Sequence, residues 1–145
     1  MQPTQKTKIG MWMLTVLPIA FGLIDARGAL IHLRTPDWGT HHALFHMVTG
    51  GFYTLTLCAM VVILTWIPFK QGQRWAWNSI VMIGLAIHGG HILGDAMTDG
   101  GLRGGGTAQG PGLVFYSLTC TALGLYIIAF ILTYPHVAKS SSSAR

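Results

Sequence analysis

The sequence predicts an all-α fold, a four-transmembrane-helix up-and-down bundle with both termini cytoplasmic, and three observations predict it. Only nine basic and four acidic residues occur among 145, and 51% of the chain is apolar, whereas about a quarter of a soluble domain is charged. Four windows carry no formal charge: Ile9–Ile24, His41–Phe69, Trp75–Gly94 and Gly104–Ala138. The basic residues stand singly or in short pairs near the ends of those windows. So little charge cannot cover a water-facing surface, and about 20 apolar residues cross about 30 Å of hydrocarbon. The expected organisation is one domain over 1–138, with spans at about 9–32, 42–69, 75–96 and 112–134, followed by a polar tail over 139–145.

The first span follows Lys6 and Lys8, which together with the apolar run resemble a signal peptide. The run is long and Gly22–Ala26 makes a poor cleavage site, so the segment reads as a membrane helix. Pro36 limits any helix in the next loop, where Asp37 and Thr40 are candidate caps. The second span is expected to end at Pro68, and Lys70–Arg74 turns into the third. A glycine-rich segment from Thr98 to Gly112 precedes the fourth, which is expected to stop at Tyr134 before Pro135. That segment lacks a Walker ending and opens no βαβ unit, so it makes no case for a nucleotide.

Four spans place both termini on the same side as the turn at Lys70–Arg74. Lys6, Lys8, Lys70, Arg74, Lys139 and Arg145 lie there, against Arg27, Arg34 and Arg103 opposite. The positive-inside rule makes the richer side cytoplasmic, in a plasma or inner membrane. Trp12, Trp66, Trp75 and Trp77 are expected at that interface with Tyr134, and Trp38 at the opposite one, where an indole can sit with its N–H toward water. Gly50, Gly51, Gly84, Gly90 and Gly94 are candidates for close helix approach, and Gly90 and Gly94 have the spacing of a self-association face. The net charge of +5 has no basic stripe, which excludes nucleic acid as a partner. The expected partners are the lipid bilayer and other membrane subunits, or a second copy.

Six of the seven histidines map to the non-cytoplasmic half. His42 and His46 are spaced to share a helix face, as are His88, His91 and Asp95. His88 lies 13 residues beyond Trp75, roughly 20 Å into the membrane at 1.5 Å per residue. Ionisable groups at that depth face the bundle interior and mark function. Imidazole and carboxylate are ligands for a divalent transition metal. The expected metal set is His42, His46, His88, His91 and Asp95, with Asp25 orienting an imidazole from behind. Haem is the other expected cofactor, held axially by His46 and His88. The sequence contains no glutamate, so a ferritin-like di-iron site is not expected. Cys58 and Cys120 read as buried hydrophobes far from the histidines.

Three functions fit this pattern. The first is a small membrane subunit or binding protein holding metal or haem. The second is a membrane enzyme using His/Asp acid–base chemistry on a lipid-like substrate, and the third is a purely structural accessory subunit. His32, Pro36, Trp38, His42, Phe45 and His46, with Asp25 near the end of the first span, resemble a family of small uncharacterised four-span integral membrane proteins. There an Asp, a Trp and a His–Phe–His-like string recur together. Here Gly39 and Thr40 replace the aromatic or proline residues that follow the Trp. The resemblance spans the first half of the chain. It implies importance for that loop and names no activity.

Overall fold

A computed structural model describes residues 2–33, 41–97 and 112–142. Four α-helices make up the fold: α1 (Gln5–Leu33), α2 (His41–Leu64), α3 (Arg74–Met97) and α4 (Gly112–Ser142), with a π-helical turn, Thr65–Phe69, closing α2. No strand occurs among the described residues. Each helix is long and apolar enough to cross a membrane, over Gln5–Arg27, Gly50–Phe69, Arg74–Leu93 and Ser117–Ala138. The chain is thus a multi-pass membrane protein.

Burial is arranged for lipid. Trp12, Val16, Ile19 and Leu23 of α1, Met60 and Ile63 of α2, Met82 and Leu85 of α3, and Ile127, Ile128 and Ile131 of α4 all face outward. Thr7, Thr15, Thr54, Thr65, Thr119, Thr133, His88 and His136 are buried instead. Hydrocarbon offers no hydrogen bonds, so polar side chains must find partners inside. Thr15, Thr65 and Thr133 do so by donating to carbonyls of Met11, Val61 and Ala129 one turn back, at 2.8, 2.7 and 2.8 Å.

Helix α1 packs on α2 and α4, and α3 packs on α4, while α2 and α3 are the least engaged neighbours. The apolar core includes Met11, Leu14, Val61, Phe69, Ala76, Ile80, Tyr126, Ala129, Phe130 and Val137. Two indoles tie helices together across it. The Trp66 N–H donates to the Thr15 hydroxyl at 2.7 Å, and the Trp77 N–H to the Thr133 hydroxyl at 3.1 Å. The rings are partly buried, and a buried indole needs an internal acceptor.

Helix ends differ from expectation for local reasons. The Thr4 hydroxyl accepts the Thr7 N–H at 3.2 Å, and this cap starts α1 a turn before Ile9. Helix α4 runs through Pro135 to Ser142 instead of stopping at Tyr134. Pro135 is exposed, while His136 and Val137 beyond it are buried. His136 donates to the Lys70 carbonyl at 3.3 Å and meets the Phe69 ring edge-on at 5.3 Å. Packing of these neighbours overrides the proline's lost hydrogen bond. The intervening turn is sharp because Gly72 adopts φ 83°, a conformation glycine takes at no steric cost.

Close approach uses glycines that the sequence marked only in part. A methyl on Gly10 would lie 2.7 Å from Thr133 Cγ2 and 3.0 Å from the Ala129 carbonyl oxygen; on Gly84 it would lie 3.0 Å from Phe130 and from Tyr126. Gly50 and Gly90 meet nothing within 4 Å among the described residues. Gly10→Ala is therefore expected to destabilise by about 2–3 kcal/mol and Gly84→Ala by about 1–2 kcal/mol. Gly90→Ala should be neutral, or stabilising by up to about 1 kcal/mol through helix propensity. Unfolding midpoints in one detergent would rank the three, and equal losses at Gly10 and Gly90 would refute the packing scheme.

Candidate functional site

The four helices each contribute to one polar layer within the bundle. Helix α1 supplies Phe21, Gly22 and Asp25, and α2 supplies Cys58. Helix α3 supplies His88 and His91 one turn apart, and α4 supplies Tyr126. Local sequence explains the convergence. The i, i+3 spacing puts both imidazoles on one face of α3. Gly84, a turn earlier, lets α4 approach closely enough for Tyr126 to lie against that face. Gly22 does the same between α1 and α2, where an added methyl would meet Cys58 Cβ at 3.2 Å and Sγ at 3.4 Å.

Asp25 and His91 form the ionisable pair. The Asp25 Oδ2 atom lies 3.2 Å from His91 Nε2, and His91 Nδ1 lies 2.7 Å from the Ile87 carbonyl. A carbonyl only accepts, so Nδ1 carries a hydrogen. The Nε2–Oδ2 contact then holds one further proton, as imidazolium with carboxylate or as neutral imidazole with carboxylic acid. The side chains are 25% and 18% exposed, so the pair is reachable from outside the bundle. Arg27, two residues on, points outward.

His88 and Tyr126 lie deeper, each with 0% exposure. Their rings are 4.6 Å apart and tilted by 56°. Phe21 stands edge-on to His88 at 4.6 Å and to His91 at 5.2 Å, so it covers both imidazoles. Neither ring nitrogen of His88 has a hydrogen-bond partner among the described residues, nor does the Tyr126 hydroxyl.

Set against the sequence, this layer changes several roles. Asp25, His88 and His91 come together, with α1 meeting the α3 imidazoles through Phe21 and Asp25. The side chains of His42, His46 and Asp95 lie outside the described residues. Among those described, no three of His, Cys, Asp or Glu converge to hold a metal ion, and only His88 and His91 of the expected metal set fall within that statement. Cys58, read as remote from the histidines, belongs to the layer because α2 packs its midpoint against Gly22. Tyr126 was missed as well. Its only mark in the sequence is a phenol set deep in an apolar run, where a buried hydroxyl asks for a partner.

Compared with protein-family models, curated proteins and solved structures, the chain matches none.

Proposed function

We propose that this chain is a small multi-pass membrane binding protein whose polar layer takes a small organic ligand carried in the bilayer. One observation carries the reading: His88 and Tyr126 enclose three polar atoms without partners among the described residues. Buried polar groups are nearly always hydrogen-bonded, and leaving one unmade costs about 1–3 kcal/mol. A bound molecule that completes those bonds accounts for their persistence in an otherwise apolar bundle. The adjacent Asp25–His91 pair holds an exchangeable proton, so the same layer suits acid–base chemistry on that ligand.

The reading includes a topology. Contacts of Thr15 with Trp66, of Thr133 with Trp77, and of Gly10 with Thr133 support helices running up and down. Both termini then share a side with the Lys70–Arg74 turn, whose excess of cations favours the cytoplasm. The polar layer then lies from the middle of the bilayer outward, with Cys58 and Tyr126 near the midpoints of their spans and Asp25 and His88 beyond theirs.

A second reading is haem or a single transition metal ion. It rests on His88, whose two ring nitrogens have no partner among the described residues, with His46 of α2 proposed as the other axial ligand.

Organic extraction and mass spectrometry of protein purified in native lipid discs separate these readings, alongside an absorption spectrum and metal analysis. The expected result is a stoichiometric organic molecule that is absent from a His88→Leu/Tyr126→Phe variant. A haem band or stoichiometric metal would select the second reading. Wild-type protein that carries nothing, with His88 bonded only to water, would sink both.

A further inference from the structure

The chemistry of the polar layer restricts what it can hold. The Asp25–His91 pair is neutral overall wherever its shared proton resides. Beside it stand His88, Tyr126 and Cys58, and the rings packed against His88 and Tyr126 are Phe21, Phe130 and each other, none of which carries a charge. An unpaired charge at membrane depth costs several kcal/mol, so a ligand carrying one would be rejected. The unfilled positions are the two ring nitrogens of His88 and the Tyr126 hydroxyl. A neutral imidazole offers one N–H and one lone pair, and a phenol offers an O–H and acceptor capacity. One oxygen satisfies both side chains: a carbonyl accepts from each, whereas a hydroxyl accepts from one and donates to the other.

Access also has a visible barrier. His88 is fully enclosed, while Phe21 is partly exposed and stands against both imidazoles. Of the two rings described against His88, Phe21 is partly exposed and Tyr126 is buried, so Phe21 is the one on the outer side. Outside the layer the helices present apolar side chains, so whatever approaches from the bilayer has an apolar body.

Resting on the binding reading above, we infer that the ligand is an uncharged, lipid-soluble molecule with a hydroxyl or carbonyl oxygen. That oxygen bonds His88 and Tyr126, and Phe21 is the gate that it displaces. The proposal names two sources of the same chemistry, an alcohol and a ketone or quinone.

Four twelve-carbon probes added to the full chain in lipid discs test it: 1-dodecanol, 2-dodecanone, dodecane and dodecylammonium. The reporter is the 15N signal of the His88 ring, assigned with the His88→Leu variant. Dodecanol or dodecanone should shift that signal, whichever does so identifying the source, with affinity about tenfold above that of dodecane, the worth of one good hydrogen bond. Tyr126→Phe should remove about that tenfold. Phe21→Ala should speed association while leaving the selectivity for oxygen intact.

A response to dodecylammonium alone would overturn the uncharged class and leave the binding reading standing. Equal binding of dodecane and the oxygenated probes would overturn the role of the oxygen. Unchanged association in Phe21→Ala would overturn the gate. A His88 signal that no probe moves, with water as its constant partner, would remove the binding reading along with the inference.

Discussion

Replacing His88 with leucine and Tyr126 with phenylalanine is expected to make the ligand-free protein more stable while destroying its ability to bind. The two side chains hold three enclosed polar atoms without partners among the described residues, and each unsatisfied group costs about 1–3 kcal/mol. The substitutions also remove favourable terms. His88 makes edge contacts with Phe21 and tilted contacts with Tyr126, each at 4.6 Å, and such pairs contribute about 0.5–1.5 kcal/mol beyond area. Tyr126→Phe keeps its ring and loses only the hydroxyl, whereas His88→Leu forfeits two ring contacts. The net expectation is a gain of about 2 kcal/mol, which raises the unfolding midpoint by several degrees. Proteins often trade stability for a functional polar group in this way. A lower midpoint for the double variant would mean that the polar atoms are satisfied within the bundle, and the binding reading would fall.

Breaking the Asp25–His91 pair should act in the opposite direction. The pair joins α1 to α3 at 3.2 Å, with side chains only 18% and 25% exposed. Losing one partner of a fully buried pair costs about 3–5 kcal/mol, whereas interhelical hydrogen bonds within membranes average about 0.6 kcal/mol. Partial exposure places this pair between those limits, so Asp25→Ala and His91→Ala should each cost about 2 kcal/mol. Their double variant should cost little more than either, with a coupling of about 1–2 kcal/mol. Asp25→Asn should lose less stability than Asp25→Ala, because the amide still offers an oxygen and an N–H. It cannot take up or release the shared proton, so any acid–base turnover should fail in Asn and Ala alike. Additive single effects would show that the two side chains do not depend on one another.

Much of the architecture could be read from the chain without coordinates. Scarcity of charge and the length of four uncharged windows require helices in lipid, because only helices and closed barrels satisfy their backbone there. The i, i+3 spacing of His88 and His91 places both imidazoles on one face whatever the bundle does. Helix ends were less legible. Pro135 looks like a terminator, yet His136 and Val137 are held by Phe69 and Lys70 from a distant part of the chain. The acceptor of each indole was not legible either: the Trp66 and Trp77 N–H groups turn to Thr15 and Thr133 on neighbouring helices.

Sequence alone determined the solvent, the number of helices, and the stripe of α3 that carries the imidazoles. Those properties follow from local composition and from the 3.6-residue period, which act over a few turns. Tertiary packing decided which groups meet: Asp25 with His91, Phe21 over both rings, Cys58 against Gly22, and Tyr126 beside His88. Those contacts depend on the rotation and depth of each helix relative to its neighbours. Glycines at Gly10, Gly22 and Gly84 set that rotation by admitting an adjacent helix where a methyl group would collide.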